Sequence, residues 1–494
     1  MIEEIYYNGN IITMEQSLYE EAILVRNGII DKVGTKEQIM KYKNSQTELI
    51  DLQGKTLMPS FIDSHSHLTA FAGTLNLVVL SDATSFQDII NKMKKFKQNN
   101  DLKKGQWIIG FGYDNNFLTE KQHPTKEILD KISTDNPIMI THKSGHMGVL
   151  NSLALKEAEI DSNTREIEGG HIGRVGGTLE PNGYLEENCF IQASNKIPEQ
   201  PIETLIELME KAQNIYLSYG ITTAQEGLIN DGEFKQLKYM SENNKLKIDV
   251  VGYVDLKNSK KIKDENEKYV KKYINRFKIG GYKIFLDGSP QGRTAWMTKP
   301  YENDKEGYCG YPIYKDEEVQ EFINTALNEN MQLLTHCNGD AAADQLINSF
   351  IEVFNKNDYS NTNRPVMIHA QLVREDQIDK MKKIDMIPSY FVAHTYYWGD
   401  IHIKNFGRRA YKISPVKTTI DKGVVYTFHQ DTPVIAPNMV ETIWCAVNRI
   451  SKEGIIIGED ERISPLDALK AVTINAAYEY FEEDKKGSKR RKIS

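Results

Sequence analysis

Two histidines one residue apart, His65 and His67, follow the short apolar run Leu57-Met58-Pro59-Ser60-Phe61-Ile62-Asp63-Ser64. The run reads as a buried strand, and side chains two residues apart on a strand share a face. Two neutral imidazoles aimed at one point suit a divalent transition metal. Four further residues stand in or just past short apolar strands. Lys283 lies inside Gly280-Gly281-Tyr282-Lys283-Ile284-Phe285-Leu286, where burial penalises an ammonium. A lysine kept neutral in this way can add to CO2 as a carbamate, an anionic oxygen pair able to bridge two metals. His336 ends Gln332–Thr335, His369 ends Val366–Ile368, and Asp431 lies three residues past Val424–Phe428. Taken singly, each has an ordinary reading: a histidine at a strand end caps or packs, Asp431 before Thr432-Pro433 makes a turn, and Lys283 pairs with Asp287. As an ordered set they are a strong signal of a shared metal site.

Bringing these residues together requires strands whose ends converge. From about Leu57 the chain alternates strands with amphipathic helices. Strands are expected at Ile221–Ala224, Ile248–Val254, Tyr282–Leu286, Gln332–Thr335, Val366–Ile368, Met386–Ser389 and Val424–Phe428, with helices such as Glu317–Glu329 and Glu375–Lys383 between them. Eight βα units in series predict an α/β fold, a (β/α)8 TIM barrel, which places its chemistry at the C-terminal rim of the strands. No G-x-G-x-x-G follows the first strand, which disfavours a doubly wound dinucleotide-binding sheet.

Residues 1–56 form a separate β unit with two expected hairpins, one turning at Asn8-Gly9-Asn10 and one at Asn27-Gly28. The barrel is assigned to residues 57–480. Residues 69–200 are too many for one βα loop and read as an inserted α/β subdomain covering the barrel mouth. Residues 481–494 read as a basic, disordered tail.

Composition narrows the class. The 494 residues carry a net charge of -8, which disfavours nucleic acid as a partner. Four cysteines, Cys189, Cys309, Cys337 and Cys445, show no C-x-x-C spacing, as expected of a reducing, cytoplasmic setting without a thiolate zinc site. No leader pattern opens the chain, and no apolar window approaches the roughly eighteen residues that a membrane span needs. The expected partner is a small-molecule substrate.

The motifs Met58-Pro59-Ser60-Phe61-Ile62-Asp63-Ser64-His65-Ser66-His67, Gly145-His146-Met147-Gly148-Val149-Leu150-Asn151-Ser152 and Gly220-Ile221-Thr222-Thr223-Ala224-Gln225-Glu226 resemble those of the metal-dependent amidohydrolase superfamily. Within it they resemble amidohydrolase family 3, the YtcJ-like branch that includes N-substituted formamide deformylases. Lys283-Ile284-Phe285-Leu286-Asp287-Gly288-Ser289, Thr335-His336-Cys337-Asn338-Gly339-Asp340, His369-Ala370-Gln371-Leu372-Val373 and Asp431-Thr432-Pro433-Val434 extend the match over roughly residues 1–485. The resemblance implies a TIM barrel with an N-terminal β-sandwich and one or two metal ions, usually zinc. It implies that His65 and His67 bind the more buried metal, that carbamylated Lys283 bridges, that His336 and His369 bind the second metal, and that Asp431 touches the first metal and handles protons.

The reaction expected is hydrolysis of a C–N bond in an amide or N-substituted formamide. The alternatives are a one-metal deaminase of a ring amidine, which needs no bridging lysine, and a catalytically impaired ligand-binding scaffold. His146, His394 and Arg293 are candidate substrate contacts, their ordinary alternatives being packing and loop ordering. Glu226 is a rival bridging ligand. The family's chain usually returns to add strands to the N-terminal unit. Here Lys485-Lys486-Gly487-Ser488 leads instead into Lys489-Arg490-Arg491-Lys492-Ile493-Ser494, so that unit is expected to be incomplete, with an open edge and a tendency to form a homodimer.

Overall fold

The computed structural model describes residues 3–143, 145–198, 201–302, 304–357, 359 and 361–488. It divides into two compact units, Met1–Phe71 with Met209–Ser494, and Ala72–Leu208.

The first unit opens with a five-stranded sheet built from Glu3–Ile12, Tyr19–Arg26, Ile29–Gly34, Thr47–Asp51 and Thr56–Leu57. The hairpin at Asn27-Gly28 forms, with both residues at positive φ (51° and 78°), as a tight two-residue turn between twisted strands requires. The hairpin expected at Asn8-Gly9-Asn10 does not form. Glu3–Ile12 is one strand with a register shift between Tyr7 and Ile11, because Tyr19–Arg26 pairs with both of its halves. Gly9 belongs to that irregularity, since a Cβ there would come within 2.3 Å of Lys55 O. The sheet packs Ile5, Ala22 and Leu24 against Ile39 of a short helix.

The run Leu57–Ser64 is likewise not one strand. Leu57 ends the N-terminal sheet, while Phe61–Ile62 begins an eight-stranded parallel sheet. Pro59, which has no N–H to give a ladder, falls in the crossing between them. The parallel sheet continues in chain order through Ile221–Ile229, Asp249–Asp255, Phe277–Phe285, Gln332–Cys337, Val366–His369, Ile387–Tyr390 and Thr427–Phe428. Its first and eighth strands are only two residues long, yet their exits meet. His67 N–H donates to Thr432 O (2.8 Å), Asp431 N–H to His65 O (3.2 Å) and Ser64 Oγ to Phe428 O (2.8 Å). Val251, Tyr253, Leu334, Val366, Ile368 and Ile387 form one buried cluster together with Ala476 and Ala477 of the helix Ile474–Glu479 and Tyr480 just past its end. Burial of this kind contributes about 25 cal/mol per Å² of apolar surface, enough to fix strand ends against one another.

The segment expected to be a solvated tail from residue 481 is held in place as far as Ser488. Lys278 pairs with Glu482, Lys486 Nζ with Asp249 Oδ2 (2.6 Å), Arg364 Nη2 with Glu483 Oε1 (2.9 Å), and Ser488 Oγ donates to Glu15 Oε1 (2.7 Å). Of the basic residues that suggested a free tail, Lys486 is spent on Asp249 and Glu482. The basic run at 489–492 lies outside the described residues.

The second unit is an α/β body on a six-stranded mixed sheet, ordered Gly170–Arg174, Pro181–Glu186, Met147–Leu150, Ile138–His142, Ile108–Tyr113 and Leu77–Val79. Ile89, Met93, Ile108, Leu129, Ile138 and Ile140 belong to its core.

Candidate metal centre

The parallel strands deliver His65, His67, Lys283, His336, His369 and Asp431 to one end of the sheet. His65 and His67 lie beyond Phe61–Ile62 on an extended exit, His67 forming a bridge with Glu226 of the second strand. Lys283 is on the fourth strand, His336 on the fifth and His369 at the end of the sixth, and Asp431 follows the eighth. His369 and Asp431 have left-handed backbones (φ 75° and 55°), a strained conformation that turns their side chains out of the strand direction. Gly227 has no room for a side chain, because a Cβ there would stand 2.5 Å from His65 Cε1 and 3.1 Å from His67 Cε1.

Asp431 is the hub. Its Oδ1 lies 3.5 Å from His65 Nε2 and 3.4 Å from His67 Nε2, and its Oδ2 lies 3.9 Å from His369 Nε2. His369 Nε2 is in turn 3.1 Å from His336 Nδ1. Lys283 Nζ is 3.5 Å from His65 Nε2 and nearly sealed from solvent, at 1% exposure. The six residues thus form two histidine pairs on either side of one carboxylate, with the buried amine beside the first pair.

Electrostatics follow from burial. It holds His65 and His369 well below the ordinary imidazole range and lowers His336 to about 4, so all three stay neutral. For His67 burial works in the same direction, but the Asp431 carboxylate prevails and raises it. Asp431 is lowered in return, with burial opposing and His67 leading the favourable contributions. Burial brings the Lys283 amine down to about 7, against the pull of Asp431 and Glu479.

Gln225 decides which nitrogen of His65 is available. Its Nε2 donates to Ser64 O (2.6 Å) and Tyr480 Oη (3.1 Å), so its Oε1 must face His65 Nδ1, at 2.5 Å, and accept the proton there. The lone pair of His65 is therefore at Nε2, toward Asp431. Ligand atoms of His65, His67 and Asp431 all lie within 4.8 Å of one another. Two imidazoles and a carboxylate at this spacing, one imidazole with its outer nitrogen already committed, fit a divalent first-row ion.

The other candidates are placed differently. Glu226 stands behind His67, its Oε1 3.8 Å from Nδ1 and its Oε2 accepting from Thr69 N (2.8 Å), so it faces the outer nitrogen rather than Asp431. Burial raises it to about 7. His394 is buried, with Nδ1 3.0 Å from His402 Nε2 and its ring against Phe391 and Trp398. Arg293 Nη2 meets Asp304 Oδ2 at 2.6 Å. His146 belongs to the second unit, where it is exposed and 3.1 Å from Glu187. Gln225 and His429 went unassigned in the sequence. His429 stands two residues before Asp431, and the hydrogen-bond partners that define both residues come from distant parts of the chain.

A model of the amidohydrolase family, Amidohydro_3, matches residues 48–488. The chain belongs to the amidohydrolase family. It is an enzyme, a hydrolase acting on C–N bonds. YtcJ of Bacillus subtilis (strain 168) is 27% identical over 98% of this chain and 92% of its own length. The N-substituted formamide deformylase of Arthrobacter pascens is 25% identical over 97% of this chain and 90% of its own length. Among solved structures, an uncharacterized metal-dependent hydrolase from Pyrococcus horikoshii OT3 superposes with a TM-score of 0.79 at 26% identity, covering 99% of this chain and 95% of that one. The amidohydrolase assignment and these neighbours agree with a metal-dependent centre at His65, His67 and Asp431. No helix among the described residues is long and apolar enough to cross a membrane.

Proposed function

We propose that this amidohydrolase is a zinc enzyme that hydrolyses an amide or N-substituted formamide in a small molecule, on a parallel sheet closed as a (β/α)8 barrel. The observation that carries the reading is the convergence of His65 Nε2 and His67 Nε2 on Asp431 Oδ1, with His369 and His336 beyond Oδ2. The divalent ion, when bound, would acidify a water and polarise the scissile carbonyl. His65 and His67 hold the first position, His336 and His369 the second. Burial lowers Lys283 to about 7, so a substantial fraction of its amine is neutral near neutral pH and its nitrogen can add to the carbon of CO2 with loss of one proton. A carbamate there would supply the anionic oxygens for bridging two metal positions.

Asp431 takes a proton from the attacking water and returns it to the leaving nitrogen, so that amide and water become acid and amine. Such a role is commonly worth about 10²–10⁴-fold in rate. Trp398, His394, Phe391 and His369 pack ring against ring behind the site. The deformylase named above, similar across nearly its whole length, supports the formamide within this class.

The test is metal analysis of protein purified without added metal, followed by hydrolysis assays on a panel of amides and N-substituted formamides. One to two equivalents of zinc with turnover of a panel member is expected. Less than about a tenth of an equivalent, with no gain of activity on adding zinc, would sink the reading.

A further inference from the structure

Beneath His369 lies a run of polar groups that the proposed chemistry does not use. His369 Nδ1 is 3.1 Å from His429 Nε2, His429 Nδ1 is 2.9 Å from Ser389 Oγ, and Ser389 Oγ is 3.2 Å from Ser64 Oγ. Ser64 Oγ is 2.8 Å from the carbonyl oxygen of Phe428. His429, Ser389 and Ser64 are fully buried at 0% exposure, so no water exchanges with these bonds. The run joins the exits of the first, sixth, seventh and eighth strands.

A carbonyl oxygen only accepts, so the direction of every bond follows from Phe428. Ser64 gives its one hydroxyl proton to Phe428 O and must accept from Ser389. Ser389 has then given its own proton and must accept from His429 Nδ1. A neutral imidazole carries one N–H, so His429 Nε2 is an acceptor, and the proton between the two rings belongs to His369 Nδ1. The remaining nitrogen of His369, Nε2, is left with a lone pair, and it is the atom that faces His336 and Asp431.

We infer that Ser64, Ser389 and His429 are positioning residues that lock His369 in its Nδ1–H tautomer, so that Nε2 is presented as a ligand to the second metal position. The inference rests on the metal-centre reading above. It gives that position what Gln225 gives His65, by a different chemistry: a hydroxyl–imidazole relay ending on one backbone carbonyl. A carboxylate is the usual partner for a ligating histidine. Here a neutral relay fixes the ring without adding a further negative charge to those of Asp431, Glu226 and Asp287 around the site.

The test is long-range ¹⁵N–¹H correlation on histidine-labelled, metal-free protein, combined with zinc competition titrations. In the wild type His369 and His429 should both carry their proton on Nδ1. Ser389→Ala should mix the tautomers of both rings and weaken the second zinc equivalent about 10–100-fold. The first equivalent should be unchanged, and Ser389→Thr should restore the second. Unfolding temperature checks that the variants are folded, and the wild-type spectrum stands without them. A His369 protonated at Nε2 in the wild type overturns the inference. So does a folded Ser389→Ala with wild-type tautomers and two wild-type zinc affinities. The two readings separate cleanly. Predicted tautomers with no zinc bound would remove the functional reading and keep the relay, whereas two zinc equivalents with an Nε2–H His369 would do the reverse.

Discussion

Each unit of the molecule contains a histidine cluster, and the two are built on opposite principles. In the first unit His65, His67, His336 and His369 turn nitrogens toward one another and toward Asp431. In the second, His123 Nδ1 lies 2.9 Å from Tyr113 Oη and its ring lies on Tyr184, with centroids 4.3 Å apart. His142 packs edge-on to Tyr113, and the neighbouring Asp114 is ion-paired with Lys143. Among the described residues only the first cluster brings ligand atoms of three residues close enough to share an ion. Proximity of imidazoles and a carboxylate is therefore not the distinguishing feature. In the first cluster the inner nitrogens converge while outer nitrogens are held by fixed partners; in the second, His123 is engaged with Tyr113 and Tyr184, and His142 Nε2 faces an Asp114 already paired with Lys143.

The comparison can be broken at several points. The largest effect is expected for His65→Ala, which should remove the first metal equivalent and bring hydrolysis to background, while His142→Ala in the second unit leaves metal content at the wild-type value. Elemental analysis of both proteins checks this, and equal loss from the two would erase the contrast. Asp431→Asn, assayed at saturating zinc, should lower kcat by about 10²–10⁴-fold, as expected when a proton carrier is lost. A kcat near wild type would remove Asp431 from proton transfer.

Lys283→Ala should cost the second equivalent and most of the activity, with partial rescue by a short-chain carboxylate. Retention of one ion and much of the activity would favour one-metal chemistry instead. The smallest effect concerns pH. The neutral fraction of Lys283 rises as pH increases through about 7, so adduct formation at a given CO2 concentration should increase from pH 6 to pH 8. A ¹³C carbamate resonance from ¹³CO2-equilibrated protein, strengthening over that interval and absent from Lys283→Ala, is the expected observation. A signal that is absent or insensitive to pH would argue against a bridging carbamate.

What could be read from the sequence divides along the same line. His65, His67, Lys283, His336, His369 and Asp431 were legible because each sits in or just past a short apolar run, and parallel strands in series bring such ends together. The sheet order followed for the same reason. Gln225 was not legible as a determinant of His65, because its role depends on Ser64 O and Tyr480 Oη, contributed by chain far from it in sequence. His429 was hidden for a related reason: its partners His369 and Ser389 lie on two other strands. Strand lengths were misread where tertiary contacts override local pattern. Leu57–Ser64 looks like one strand but serves two sheets, and Asn8-Gly9-Asn10 looks like a turn but lies within a strand that a neighbour pairs on both sides. The charged stretch after residue 481 reads as solvated until Lys278, Asp249 and Arg364 are placed beside it.

The most direct test of the account is anomalous diffraction at the zinc edge from crystals of protein prepared without chelators. The account predicts a peak about 2.0–2.1 Å from both His65 Nε2 and His67 Nε2, with Asp431 turned toward it. Density for hydrogen-bonded side chains with no anomalous peak there, or a peak confined to other residues, would contradict it.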